Sequence, residues 1–277
     1  MSTSRIIFFS TLLIVFSFKI PSAKLLSYQS EYEISLANSE KIRLPGKTYV
    51  NEASGQLFID WINNCQNSWV SNQRMMTRFI NSHGVGTVSE INYSLNEKTD
   101  GSDMDFVLEV KEDAELVERV YGEARIKDSL IVKFPQTDKE NLNFSNDVIF
   151  PHHFLEEITS NLYSDKQMIT KKVYEGTIPN KFFNISVFLT DEIIKESNLK
   201  LPKEINNKFK KIRMSYYQDN EQTPVFEQTI NLNDQGVANF FRYDYPDYSL
   251  VLKLKKITLV NLAVSYTHLT LPTIGCV

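Results

Sequence analysis

Glycine and cysteine are scarce in this chain: nine and two in 277 residues. So few glycines argue against glycine-rich phosphate loops, and no Walker loop, G-x-S-x-G or H-E-x-x-H motif occurs. Histidine is also rare, with His83, His152, His153 and His268 only. Cationic excess is missing: the formal net charge is -4, which excludes the basic footprint of a nucleic-acid binder. No βαβ rhythm is visible, which excludes Rossmann and P-loop architectures.

The two ends of the chain read differently from its body. Arg5 precedes an apolar run from Ile6 to Phe18, followed by Lys19 and Pro21-Ser22-Ala23. The run is too short for a membrane span and suits a secretory leader over residues 1–23; the alternative is an uncleaved tether. Beyond it, no apolar stretch is long enough to span a membrane. Without the leader, 28 positive and 34 negative side chains remain. At the other end, charge vanishes after Lys256, and Val264 to Thr273 reads VSYTHLTLPT. That string is similar to the in-frame translation of a sequencing adapter. Residues 264–277 are therefore expected to be a non-native tail, the alternative being a genuine last strand.

Between these ends, residues 24–263 read as one β domain of about thirteen strands joined by short turns. Asn63-Asn64-Cys65, Asp100-Gly101, Lys127-Asp128-Ser129 and Asp234-Gln235-Gly236 mark reversals. Asp191 to Asn198 reads as a short helix and the lysine-rich Lys200 to Lys211 as a solvated loop. One convincing amphipathic helix stands out, Phe150 to Tyr163. Pro151 suits its first turn, and Glu156 and Glu157 suit its early turns, where the helix dipole favours acid. Phe154, Leu155, Ile158 and Leu162 form its apolar stripe, expected to cover the open face of a half-closed barrel.

The candidate chemistry is thin. His152 and His153 open the helix, but adjacent helical positions point about 100° apart, unlike an i, i+4 chelating pair. They read as helix-start residues, and neither a metal nor a cofactor is expected. Glu109, Glu112, Asp113, Glu115 and Glu118 crowd one turn; a glycosidase needs two carboxylates opposed across a cleft, roughly 5 to 9 Å apart. A barrel interior is either filled core or a cavity for an acyl chain, and unpaired edges invite a partner strand.

The order of punctuation resembles the EipB family of periplasmic cell-envelope integrity proteins. The resemblance rests on Gly55-Gln-Leu-Phe, then Cys65 with Trp69 and Gln73-Arg74, and Asp100-Gly101 with Phe106. It continues through Gly122-Glu-Ala124, Phe150-Pro151 with the following histidines, and Glu175-Gly176. It ends with Asn233 to Val237 around Gly236, Tyr243-Asp-Tyr245, and Asp247-Tyr248. It implies a spiral-like, incompletely closed antiparallel β-barrel with one main helix, secreted to the Gram-negative periplasm and not enzymatic. It also implies a disulfide from Cys65 to a late cysteine, for which Cys276 is a doubtful stand-in. Closing so long a loop stabilises by at most about 5 kcal/mol. The leading expectation is a binder of a periplasmic protein partner or envelope component, with no nucleic-acid role. The alternatives are a lipid or lipoprotein acyl-chain carrier or sensor, and a glycan or peptidoglycan hydrolase.

Overall fold

The computed structural model describes residues 25–37, 47–64, 66–135, 140–195, 199–218 and 221–260. The expected leader, the adapter-like tail, Cys65 and Cys276 all lie outside the described residues.

Fifteen strands and one helix make up the described chain. The first half holds β1 (Tyr28–Leu36), β2 (Val50–Asn64), β3 (Ser68–Asn81), β4 (Gly86–Lys98) and β5 (Asp103–Glu112). It continues with β6 (Glu115–Ile126), β7 (Leu130–Lys133), β8 (Leu142–Phe144) and β9 (Val148–Ile149). Helix α1 (Pro151–Asn161) leads to β10 (Met168–Val173), β11 (Phe183–Lys195) and β12 (Lys208–Gln218). The chain closes with β13 (Phe226–Leu232), β14 (Ala238–Asp244) and β15 (Ser249–Leu259).

All fifteen belong to one sheet, ordered β8-β7-β6-β5-β4-β3-β2-β1-β15-β14-β13-β12-β11-β10-β9. Neighbours pair antiparallel except β9 with β10, which are parallel. β1 joins the two halves by pairing with β2 on one side and β15 on the other. The edge strands β8 and β9 are thus consecutive in sequence and form no ladder with each other, which leaves a nearly closed barrel with one seam. Apolar packing bridges this seam. Val148 and Phe150 share a buried cluster with Leu130, Val132 and Phe134, while the Phe144 ring lies 5.8 Å from Tyr174 and 5.7 Å from Phe182. Two- and three-residue edges also limit pairing with other chains.

Alternation along the strands sets the inside. Tyr32 and Ile34 of β1, Leu57, Ile59 and Trp61 of β2, and Ile185, Val187 and Leu189 of β11 are all buried. The helix stripe behaves as its spacing predicts: Phe154, Ile158 and Leu162 pack on inward residues of β10 to β13, and Leu155 reaches the core around β1 and β15.

Three readings need correction. Asp191 to Lys195 continues β11 rather than turning into a helix, because Ile193 pairs with Lys210 and Ile194 with Phe209 past a register shift. Within Lys200 to Lys211, β12 begins at Lys208 and Ile205 and Phe209 are buried; two apolar anchors outweigh the lysines around them. Finally, no acidic residue of α1 lies in its first turn, and its negative partner comes from another strand.

Candidate functional site

The inward row of β4 runs Tyr93, Leu95, Glu97, so a glutamate occupies a place where alternation calls for an apolar side chain. Glu97 is fully buried and stands opposite Trp69 of β3. Its Oε2 accepts the His152 backbone N–H at 2.7 Å, and its Oε1 accepts that of His153 at 3.1 Å. Phe150 at the helix N-cap provides no side-chain bond, so Glu97 supplies the missing cap from β4. The carboxylate also faces the positive end of the helix dipole.

The two histidine rings are fixed by different neighbours. His152 is fully buried, stacked on Trp69 at 4.9 Å and on Trp61 at 6.1 Å. His153 is partly open and lies against Gly101, where a methyl group would stand 2.9 Å from its Nδ1. Gly101 has φ +69, and Asp100 accepts the Ser102 N–H at 2.9 Å, so the β4–β5 turn is shaped to leave room for that ring. Among the described residues, neither ring nitrogen of His152 nor Nδ1 of His153 has a hydrogen-bond partner. His152 Nδ1 and His153 Nδ1 lie 3.9 and 4.0 Å from Glu97 Oε1, and His152 Nε2 lies 3.6 Å from Glu156 Oε1. Burial pushes the Glu97 carboxyl up to about 8. Burial, with a smaller contribution from His153, pushes His152 down to about 3. The expected helix-start role of Pro151, His152 and His153 is thus joined to a carboxylate that sequence reading passed over. Carrying the alternation of β4 two residues past Leu95 is the signal that finds it.

Beside this corner the barrel interior holds a cavity of about 620 Å³, lined by residues of β1 to β5, α1 and β11 to β14. Ile91, Leu108, Phe154, Met214, Ile230 and Phe241 give it an apolar wall. Glu175 is an acidic exception, and burial pushes its carboxyl up to about 7. It is partly buried and lines the cavity.

The remaining family-like positions serve the fold. At Gly55 a methyl group would sit 2.0 Å from the Met76 carbonyl oxygen, so only glycine lets β3 come so near. Gly176, with φ +75, lies against the Phe106 ring. The Gly236 carbonyl accepts the Tyr28 hydroxyl at 3.1 Å. Tyr245 stacks on Tyr248 at 4.9 Å and reaches the cavity, while Asp247 is exposed in the same turn. Arg74 pairs with Glu90 at 3.1 Å on the outer face. The acidic turn residues lie on the β5–β6 hairpin, where Glu109 pairs with Arg119 at 3.0 Å and Glu112 stands opposite Glu115 in the ladder.

Comparison with known proteins agrees with this architecture. The EipB-like family matches residues 20–261. The cell envelope integrity protein EipB of Brucella abortus (strain 2308) is 22% identical over 251 residues, covering 87% of this chain and 86% of that protein. The crystal structure of a beta-barrel-like protein of the domain of unknown function DUF1849 from Brucella abortus superposes with a TM-score of 0.76. The two share 18% identity, over 86% of this chain and all of that one. The chain belongs to the EipB-like family.

Proposed function

We propose that this protein supports the cell envelope without catalysis, by holding the apolar chain of an envelope component, a lipid or a lipoprotein acyl chain, inside its barrel. The observation that carries the proposal is the cavity of about 620 Å³ with its apolar wall. Ligand pockets have this size and character, and a filled barrel core does not leave such a volume. The envelope setting follows the relative named for envelope integrity. A periplasmic location accords with the leader-like residues 1–23. The absence of catalysis accords with an interior that combines one half-buried acid with apolar walls.

Native mass spectrometry of protein purified from the periplasm of a Gram-negative host, followed by solvent extraction, tests this reading. A co-purifying lipid or acylated peptide is expected. Protein that stays empty after incubation with host lipid extract overturns it.

A protein partner is the second reading. Val85, Val88, Leu116 and Val117 are exposed apolar residues at one end of the β4–β6 ladder, where the Val88 carbonyl accepts the Asp113 N–H and the Asp113 carboxylate accepts the Val88 N–H.

A further inference from the structure

We propose that Glu97, His152 and His153 bind one divalent transition-metal ion of the Zn²⁺ class, with Glu156 supporting His152 from behind. One ligand atom from each of the three residues lies within 4.8 Å of the others. The site is independent of the cavity reading.

Buried polar atoms ordinarily have partners. His152 breaks that rule at both ring nitrogens, although the ring is fully buried. Glu97 is equally buried, and no Lys or Arg lies within ion-pair distance of it among the described residues. Its two oxygens each accept one helix N–H, which leaves a lone pair on Oε1 facing both histidines. A cation there satisfies the carboxylate and both Nδ1 atoms at once.

The distances suit an ion better than hydrogen bonds. Separations of 3.9 and 4.0 Å are too long for the latter. Ligands about 2.0 to 2.2 Å from a tetrahedral ion stand roughly 3.4 Å apart, so ligation draws each histidine toward the carboxylate by about half an ångström. The divergence of neighbouring helical residues is overcome here. Trp69 turns one ring inward, Gly101 makes room for the other, and both present Nδ1 to the same oxygen.

Glu156 Oε1 lies 3.6 Å from His152 Nε2, too long for a hydrogen bond as it stands, but an approach of about half an ångström on ligation lets it accept that proton and leave Nδ1 as a ligand, the usual support for a metal-bound histidine. His153 and Glu156 are 41% and 42% exposed, so an ion can enter from that side and keep a fourth position for water. Two imidazoles and a carboxylate favour Zn²⁺, Cu²⁺ or Ni²⁺ over Mg²⁺ or Ca²⁺.

Tag-free full-length protein, stripped with a chelator, is titrated with Zn²⁺ and with Co²⁺. One ion per chain is expected, with a cobalt d–d spectrum, quenching of tryptophan emission through Trp69, and a Tm rise of about 5 °C at a hundredfold excess over Kd. His153→Asn changes a partly exposed ring and should keep the circular dichroism spectrum while weakening binding at least tenfold. Glu97→Gln should do the same if it folds. Absence of saturable binding to folded protein overturns the proposal. So does binding of equal strength in the His153 variant, which would mean adventitious surface carboxylates.

Discussion

Glu97 on β4 accepts the backbone N–H of His152, 55 residues later, at 2.7 Å. A strand therefore caps the helix, and the helix ties the first half of the sheet to the second. From this corner α1 runs to β10–β13, where Phe154, Ile158 and Leu162 are buried.

Glu97→Ala leaves two helix N–H groups without an acceptor. The expected loss is about 2 to 4 kcal/mol, from unmet buried donors together with a lost cap. Glu97→Gln keeps one acceptor and should lose less. Urea denaturation of metal-free protein checks both, and equal stability of Glu97→Ala and the parent would contradict the capping role.

Phe106 is gripped by two glycines. A methyl group at Gly122 would stand 2.2 Å from the ring, and one at Gly176 would stand 2.5 Å from it. Gly122→Ala is expected to cost about 2 kcal/mol by overpacking. Gly176→Ala should cost more, since its φ of +75 adds backbone strain. Adding Phe106→Leu should recover part of the first loss and less of the second, as read in a double-mutant cycle.

Glu175 gives a pH prediction. Burial raises its carboxyl from 4.5 to about 7, so the folded state holds a proton that the unfolded state has released. The associated stability is full below pH 4.5 and is lost as pH rises toward 7. Tyr93, Tyr216 and Tyr243 are the ionisable groups that interact with it from β4, β12 and β14, and all stay neutral there because burial raises each. Raising the pH from 4.5 to 7 should therefore lower the parent's Tm relative to that of Glu175→Gln. A difference that is flat with pH would show Glu175 to be hydrated.

Ala238 is a small residue on the cavity wall. Ala238→Leu adds volume inside, so it should reduce the amount of co-purifying acyl chain by more than half while the circular dichroism stays unchanged. Retention at the parent's level would place the chain elsewhere.

Much of the fold is legible in the residues. Alternation in Tyr28–Leu36 and Phe183–Leu189, and the turns at Asp100-Gly101 and Gly236, mark strands and reversals, because burial of one face imposes a period of two. The stripe in α1 is equally readable. β8 and β9 leave no mark in the sequence, since three- and two-residue strands carry no period. Ile193 and Ile194 are extended for a different reason: partners on β12, not local preference, hold them so.

The sequence by itself determined an all-β chain with one amphipathic helix, because hydrophobic period and turn chemistry are local properties. Tertiary structure alone decided that Glu97 meets His152 and His153, that Phe106 fits between two glycines, and that the barrel encloses a cavity. Each of these depends on strands distant in sequence being brought to one place, and on the volume their side chains leave unfilled.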